Sequence, residues 1–150
     1  MPRRPSVVLA VPSRTEFLGI VRDVARRMAE TAGFEPAVAE QVALAVDEAA
    51  TNVIEHAYEG APDRVVEVRC EDRGRELQFD VIDNGKGVDP RTVPRVDLDR
   101  YVTERRKGGL GVHLMGKIMD SVTFRRSARR NVCRLAKRRP NETPREGEEE

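Results

Sequence analysis

The spacing of hydrophobic positions changes several times along the chain, and each change marks an element. Ser6 to Val11 is a short apolar run that reads as a buried strand, and Pro12-Ser13 breaks it. Ser13 followed by Glu16 has the spacing of a capping box. From Arg14 to Ala32 the residues Phe17, Ile20, Val21, Val24 and Met28 recur at helical spacing. Gly33 ends that helix and Pro36 opens the next as a first-turn proline. The second helix is predicted from Pro36 to Ala57, with Val38, Val42, Val46, Ala49, Val53 and Ala57 on one stripe.

After Gly60-Ala61-Pro62 the pattern switches to alternation. Val66, Val68 and Cys70 alternate with charged residues, Arg73-Gly74-Arg75 turns the chain, and Leu77, Phe79 and Val81 alternate into Asp83. Arg64 to Asp83 is therefore a hairpin with one buried face. Asn84 to Lys107 has no clean period, carries Gly85, Gly87, Pro90 and Pro94, and has the length of a functional lid. Leu110 to Met119 is helical again, and Asp120–Phe124 with Asn131–Leu135 forms a last strand pair. The order β-α-α-β-β-loop-α-β-β has hairpin-linked strands. It predicts an α/β (α+β) fold, a two-layer sandwich with a mostly antiparallel mixed sheet and helices on one face.

Composition narrows the function. The chain has 150 residues, which fits a single domain, taken as residues 6–137 with a disordered, Pro-rich then acidic tail over 138–150. With 27 basic and 26 acidic residues the net charge is +1, so nothing draws the whole chain toward nucleic acid or a lipid surface. Arg125 to Arg139 holds eight Lys or Arg, but the six aromatics of the whole chain argue against a base-stacking site. No apolar run approaches the ~20 residues of a membrane helix. Val7 to Val11 is too short for a signal core, so a cytoplasmic protein is expected. Cys70 and Cys133 lack CxxC spacing; one disulfide is open, and two reduced thiols is the favoured reading. Neither His56 nor His113 pairs with a cysteine at zinc-ligand spacing.

Three local patterns carry candidate chemistry. Glu48 and Asn52 lie one turn apart on the second helix, and His56 continues their line. A carboxylate so placed can serve as a base, and a carboxamide as an oxygen ligand for magnesium; alone, the pair is far more often a solvated polar face. Val81-Ile82-Asp83-Asn84-Gly85-Lys86-Gly87 ends a strand with turn chemistry that also suits a carboxylate receiving an exocyclic amine above a glycine floor. Lys107-Gly108-Gly109-Leu110-Gly111 opens a helix, where free backbone N–H groups make an anion site; it is neither a P-loop nor a dinucleotide fingerprint.

Taken in order, E-x-x-x-N, a hairpin ending in D-x-G-x-G, a lid-like loop and G-G-x-G opening a helix resemble the GHKL ATPase superfamily, with its Bergerat-type ATP-binding fold. Glu48-Ala49-Ala50-Thr51-Asn52, His56-Ala57-Tyr58 and Gly108-Gly109-Leu110-Gly111-Val112-His113-Leu114-Met115 are similar to its anti-sigma factor serine-protein kinase branch. The resemblance implies ATP and Mg2+ as cofactors. It implies that Asp83 binds the adenine amine, with Gly85 and Gly87 shaping the floor beneath the base. Asn52 would ligate magnesium, and Gly108, Gly109, Leu110 and Gly111 would cradle the phosphates. Glu48 would take the proton from a serine or threonine hydroxyl as the γ-phosphoryl group transfers. Arg105, Arg106 and Lys107 stand beside that loop in the sequence and fit a solvated basic lid. His56 fits a structural role at the helix end. The implied partners are a sigma factor and an anti-sigma-factor antagonist protein, with a homodimer as the assembly and Arg14, Arg22, Arg26 and Arg27 as a candidate docking face. The alternative is a non-catalytic nucleotide-binding regulatory module, which has no evident need of Glu48.

Overall fold

The computed structural model describes residues 4–85 and 111–139. The elements run β1 (Ser6–Pro12), α1 (Leu18–Thr31), α2 (Pro36–Asn52), β2 (Val65–Asp72), β3 (Glu76–Asp83), α3 (Gly111–Ile118), β4 (Ser121–Ser127) and β5 (Arg130–Arg138). The strands form one sheet in the order β1-β2-β3-β5-β4, and every described pairing is antiparallel. This is the expected α+β sandwich. Its strand register explains how the site is placed.

Side chains alternate between faces, so the register sorts the sheet into rows. One row runs through Cys70, Phe79, Leu135 and Val122, and the next through Leu9, Val68, Val81, Cys133 and Phe124. Phe79, Val81 and Leu135 have no exposed surface at all. The helices pack on this face: α1 reaches β2, α2 reaches β3 and α3 reaches β4, with α1 and α3 both resting on α2. The opposite face is charged. Arg134 grips Asp80 with two hydrogen bonds, of 2.8 and 3.0 Å, and Glu67 meets Arg69 and Arg130. Toward the end of the helix-covered face the row changes character. There Asp83 pairs in register with Asn131, and Asn131 with Arg126, so three polar side chains continue an apolar surface.

Both thiols lie on the apolar rows and are unbonded. Burial pushes each up to about 12, which makes them inert small hydrophobes rather than nucleophiles. Among the described residues no helix is long and apolar enough to cross a membrane.

The helices form as their sequences direct, with differences at their ends. Gly33 takes a positive φ of 100° after α1, and Pro36 stands in the first turn of α2. The core stripe of α1 is Leu18, Val21, Ala25 and Ala29, whereas Ile20, expected inside, is 47% exposed. Alanines carry little hydrophobic signal in a sequence yet let α1 approach α2 closely. The expected buried strand β1 is instead an exposed edge with only Val11 buried and Val8 61% exposed. Among the described strands it pairs with β2 alone, so its other edge is left uncovered by the sheet. Ser13 is not a helix cap. Its hydroxyl donates to the Ala61 carbonyl at 2.6 Å and accepts from the Arg64 amide at 3.0 Å. Glu16 pairs with Arg14 instead of closing a capping box, because the chain first makes a short 3₁₀ turn, Thr15–Phe17, before α1 begins. The last hairpin is longer than expected: it turns at Ala128-Arg129 and β5 continues to Arg138.

Ser13 is therefore a tether between the end of β1 and the chain leading into β2. Ser13→Ala removes both of these hydrogen bonds from a buried side chain and is expected to lower stability by about 1–3 kcal/mol in urea denaturation. Glu16→Gln is expected to change it by less than about 0.5 kcal/mol. Equal losses in both variants would restore the capping box.

Candidate functional site

The site begins on α2. Its sequence is rich in alanine, the best helix former, and Ala39, Ala43, Ala45, Ala49 and Ala50 are all buried. Glu48 and Asn52 project from successive turns, and both are half-buried. Asn52 is the last residue of the regular helix. The expected helix to Ala57 continues instead as a π-helical turn, Val53–Ala57. Here the Tyr58 amide reaches the Val53 carbonyl at 2.9 Å, and the Gly60 amide reaches that of Ile54 at 2.8 Å. Such widened turns cluster at functional positions. His56 is half-buried on this turn, and Glu55 points to solvent.

The second part is the end of β3, which the structure brings against that π turn. A Cβ added to Gly85 would stand 2.3 Å from the Ala57 carbonyl oxygen and 2.8 Å from Cδ1 of Tyr58. Only glycine allows this approach. Tyr58 completes the junction: its hydroxyl donates to the Val65 carbonyl at 2.5 Å, stands 3.2 Å from Asn84 Oδ1, and accepts from the Asn84 amide at 3.3 Å. The end of α2, the start of β2 and the end of β3 are thus joined at one ring.

Asp83 lies inside this junction at 7% exposure. One oxygen, Oδ1, accepts from Asn131 Nδ2 at 2.8 Å and from the Gly85 amide at 2.9 Å. Arg126 Nη1 donates to Asn131 Oδ1 at 3.0 Å, and Asn131 Nδ2 also reaches the Gly85 carbonyl at 3.0 Å. Among the described residues, nothing donates to Asp83 Oδ2. Burial raises the carboxyl above its ordinary value, and the bonds from Asn131 and Gly85 and the charge of Arg126 oppose that rise.

Two more carboxylates sit on α2. Asp47 is buried, with Oδ2 3.6 Å from Arg22 Nη1 and Oδ1 without a partner. Burial raises it, and Arg22 counters in part. Glu48 is also raised, first by burial and then by the negative charges of Asp47 and Glu55. Asn52 Nδ2 is buried with no hydrogen-bond partner, so this carboxamide has bonding capacity that the described protein leaves unused.

Gly111 begins α3, which packs on α2. Gly87, Gly108, Gly109 and Leu110, with Lys86, Arg105, Arg106 and Lys107, lie outside the described residues. Three of the candidate docking arginines are engaged within the fold: Arg14, ahead of α1, with Glu16, and on α1 Arg22 with Asp47 and Arg26 with Asp23, Glu30 and Glu40.

Sequence reasoning missed Asn131, Arg126, Tyr58 and Asp47 as site residues. A signal existed for Asn131. It alternates with Cys133 and Leu135 and so takes a core-facing position, where a polar side chain needs a reason. Nothing in the local sequence marks Arg126, which enters only through its register with Asn131.

An antiparallel five-stranded sheet with helices over one face and a polar carboxylate junction at its end defines an α+β sandwich. Residues 11–137 match the model of the histidine kinase-like ATPase domain, and the chain belongs to that family. It is similar to the serine-protein kinase RsbW of Bacillus pumilus, 34% identical over 126 residues, covering 77% of this chain and 75% of that one. The RsbW of Halalkalibacterium halodurans is 30% identical over 125 residues, covering 80% and 75%. Among solved structures, the RsbU and RsbW domains of Rv1364c from Mycobacterium tuberculosis match with a TM-score of 0.62 over 89% of this chain. That match is 15% identical and carries the fold alone; this chain spans 32% of that protein.

Gly85→Ala forces a methyl group into a backbone carbonyl and is expected to lower stability by about 1–3 kcal/mol in urea denaturation. Gly116→Ala is the control: nothing lies within 4 Å of the added Cβ, and an alanine in α3 should raise stability by up to about 1 kcal/mol. A Gly85→Ala protein as stable as the control would show that the junction is not tight.

Proposed function

We propose that the chain is an ATP-dependent protein-serine/threonine kinase of the anti-sigma type, transferring the γ-phosphoryl group to a hydroxyl of an antagonist protein. The observation that carries this is the division of labour at Asp83. Its Oδ1 is held by Asn131 and Gly85, and its Oδ2, which accepts nothing from the described residues, suits an N–H donor such as the exocyclic amine of adenine. The kinase branch to which the relatives belong supports the same reading.

The chain's residues then divide as follows. Asp83 orients the base, with Gly85 and Gly87 beneath it. Asn52 would offer its carboxamide oxygen, a hard ligand suited to Mg2+, while its buried, unpaired Nδ2 is a donor suited to a phosphate oxygen. When bound, such a metal would supply charge neutralisation at the phosphates. Gly108, Gly109, Leu110 and Gly111 present backbone N–H groups to the phosphate tail. Glu48 accepts the proton of the attacking hydroxyl while that oxygen bonds to the γ-phosphorus and the bond to the ADP oxygen breaks. Burial and its acidic neighbours make Glu48 a better base than an ordinary glutamate.

The partners in this reading are the antagonist that is phosphorylated, the sigma factor that is sequestered, and a second copy of the chain. The exposed edge strand β1, with Val7 and Val8 uncovered, offers a surface for the homodimer. ATP as donor and two unbonded buried thiols fit a cytoplasmic setting.

Thermal unfolding with and without magnesium-ATP is the first test. Ligand at about 100 times its Kd should stabilise the wild type by about 2.7 kcal/mol, and Asp83→Asn should lose that gain while remaining folded. Glu48→Gln should keep the ATP-dependent gain and lose transfer to the antagonist by about 100-fold or more. Transfer at the wild-type rate in Glu48→Gln would refute its role as the base.

Because Glu48 acts deprotonated and its carboxyl is raised, the acid limb of the transfer rate should lie above the ordinary glutamate range. Glu55→Gln removes one of the charges that raise it, so this limb should move to lower pH. A limb that stays in place or moves up would show that Glu48 does not set it.

A further inference from the structure

At the end of the sheet opposite the Asp83 junction lies a second charged feature. The β2–β3 turn, the end of β5 and Arg4 border an open cavity of about 580 Å3 lined by Arg4, Arg73, Arg75, Glu76, Arg138 and Arg139. Turn geometry gathers these residues. Gly74 adopts a φ of 89°, and its amide donates to Asp72 Oδ1 at 2.9 Å. The Arg139 amide then donates to the Arg75 carbonyl at 2.9 Å, which carries the last described residues alongside the turn.

The arginines outnumber the acids that meet them. Arg4 and Arg73 share Glu71, at 3.9 and 3.6 Å, and Arg139 pairs with Asp72. Arg75 and Arg138 have no acidic partner among the described residues, although both are exposed. Arg139 Nε is buried and unpaired, a guanidinium donor without an acceptor. Five guanidiniums with unused donors around an open cavity are a site for carboxylate or phosphate oxygens.

Residues 140–150 follow directly from the cavity wall. They carry Glu142, Glu146, Glu148, Glu149 and Glu150 against the single basic residue Arg145. We propose that this arginine cavity is an anion-binding site whose ligand is the chain's own glutamate-rich segment 140–150. The charges are complementary, and the attachment at Arg139 makes the encounter intramolecular. A short tether gives an effective concentration on the order of millimolar, enough for weak guanidinium–carboxylate pairs to hold a segment that a free peptide would occupy only partly. Docked there, the segment would supply carboxylate acceptors to the unpaired donors.

The test uses the full chain and a labelled synthetic peptide of residues 141–150, followed by fluorescence anisotropy. Three proteins are compared: the wild type, a full chain with Glu146, Glu148, Glu149 and Glu150 each changed to Gln, and that chain with Arg75→Glu and Arg138→Glu added. Because both arginines are exposed, the fold should survive the charge reversals, and far-UV circular dichroism checks this; Arg75→Gln with Arg138→Gln is the milder pair. The tail-neutralised chain should bind the peptide about tenfold or more tightly than the wild type, whose own segment competes. Binding should weaken as salt rises, and both arginine pairs of changes should weaken it further. Equal binding by wild type and tail-neutralised chain would overturn the proposal, as would peptide binding indifferent to Arg75 and Arg138. A cavity that binds tripolyphosphate in an Arg138-dependent way while ignoring the peptide would be a phosphate site, and the proposal would fall. All of these outcomes are independent of the Asp83 site.

Discussion

The close approach of Gly85 to the Ala57 carbonyl is the constraint on which the rest of the site depends. A helix and a strand far apart in sequence end against each other there, with no room for a single methyl group. Tyr58 holds the junction from one side through its hydroxyl, and Asn131 from the other through Asp83 and the Gly85 carbonyl. Because α2 is packed into the core along its length, its Glu48 and Asn52 inherit the position that this junction sets. The π turn after Asn52 is part of the same fit: it widens the helix where the strand end must enter.

The site also lowers stability in a defined way. Asp83 and Asp47 are both buried carboxylates raised above their ordinary values. Each binds a proton more readily folded than unfolded. Their contribution therefore favours the fold below the ordinary carboxylate range and is lost as pH rises through the raised folded value. At neutral pH both are a burden, which Asn131, the Gly85 amide and Arg126 reduce at Asp83, and Arg22 at Asp47. Groups kept charged against their surroundings in this way are a mark of function. The Asp80–Arg134 pair on the other face is different. It is bidentate and lies on the charged face away from the helices.

Much of the architecture was legible in the sequence because it rests on period and punctuation. The alternation from Val66 to Val81, the helical stripe of α2, Gly33 and Pro36 all appear where local chemistry put them. The features that sequence reasoning misjudged depend on what lies opposite in space. Ile20 has the right spacing but faces outward, since the alanines beside it make the closer fit to α2. The apolar run of β1 looks internal until its place at the edge of the sheet is known. Ser13 and Glu16 have capping-box spacing, yet the Ser13 hydroxyl finds the Ala61–Arg64 segment instead.

For the site, the chain by itself determined which residues can carry the chemistry: a carboxylate and a carboxamide one helical turn apart, an aspartate ending a strand, and glycines where a flat ligand needs backbone. These are matters of residue type and local spacing, and neighbours in sequence suffice to express them. Tertiary structure alone decided that Asn131 and Arg126 hold Asp83, that Asp47 leans on Arg22, and that arginines from Arg4 to Arg139 line one cavity. Those contacts cross 25 to 135 positions of chain. They exist because strand register and helix packing bring distant segments to hydrogen-bonding distance, which no local pattern encodes.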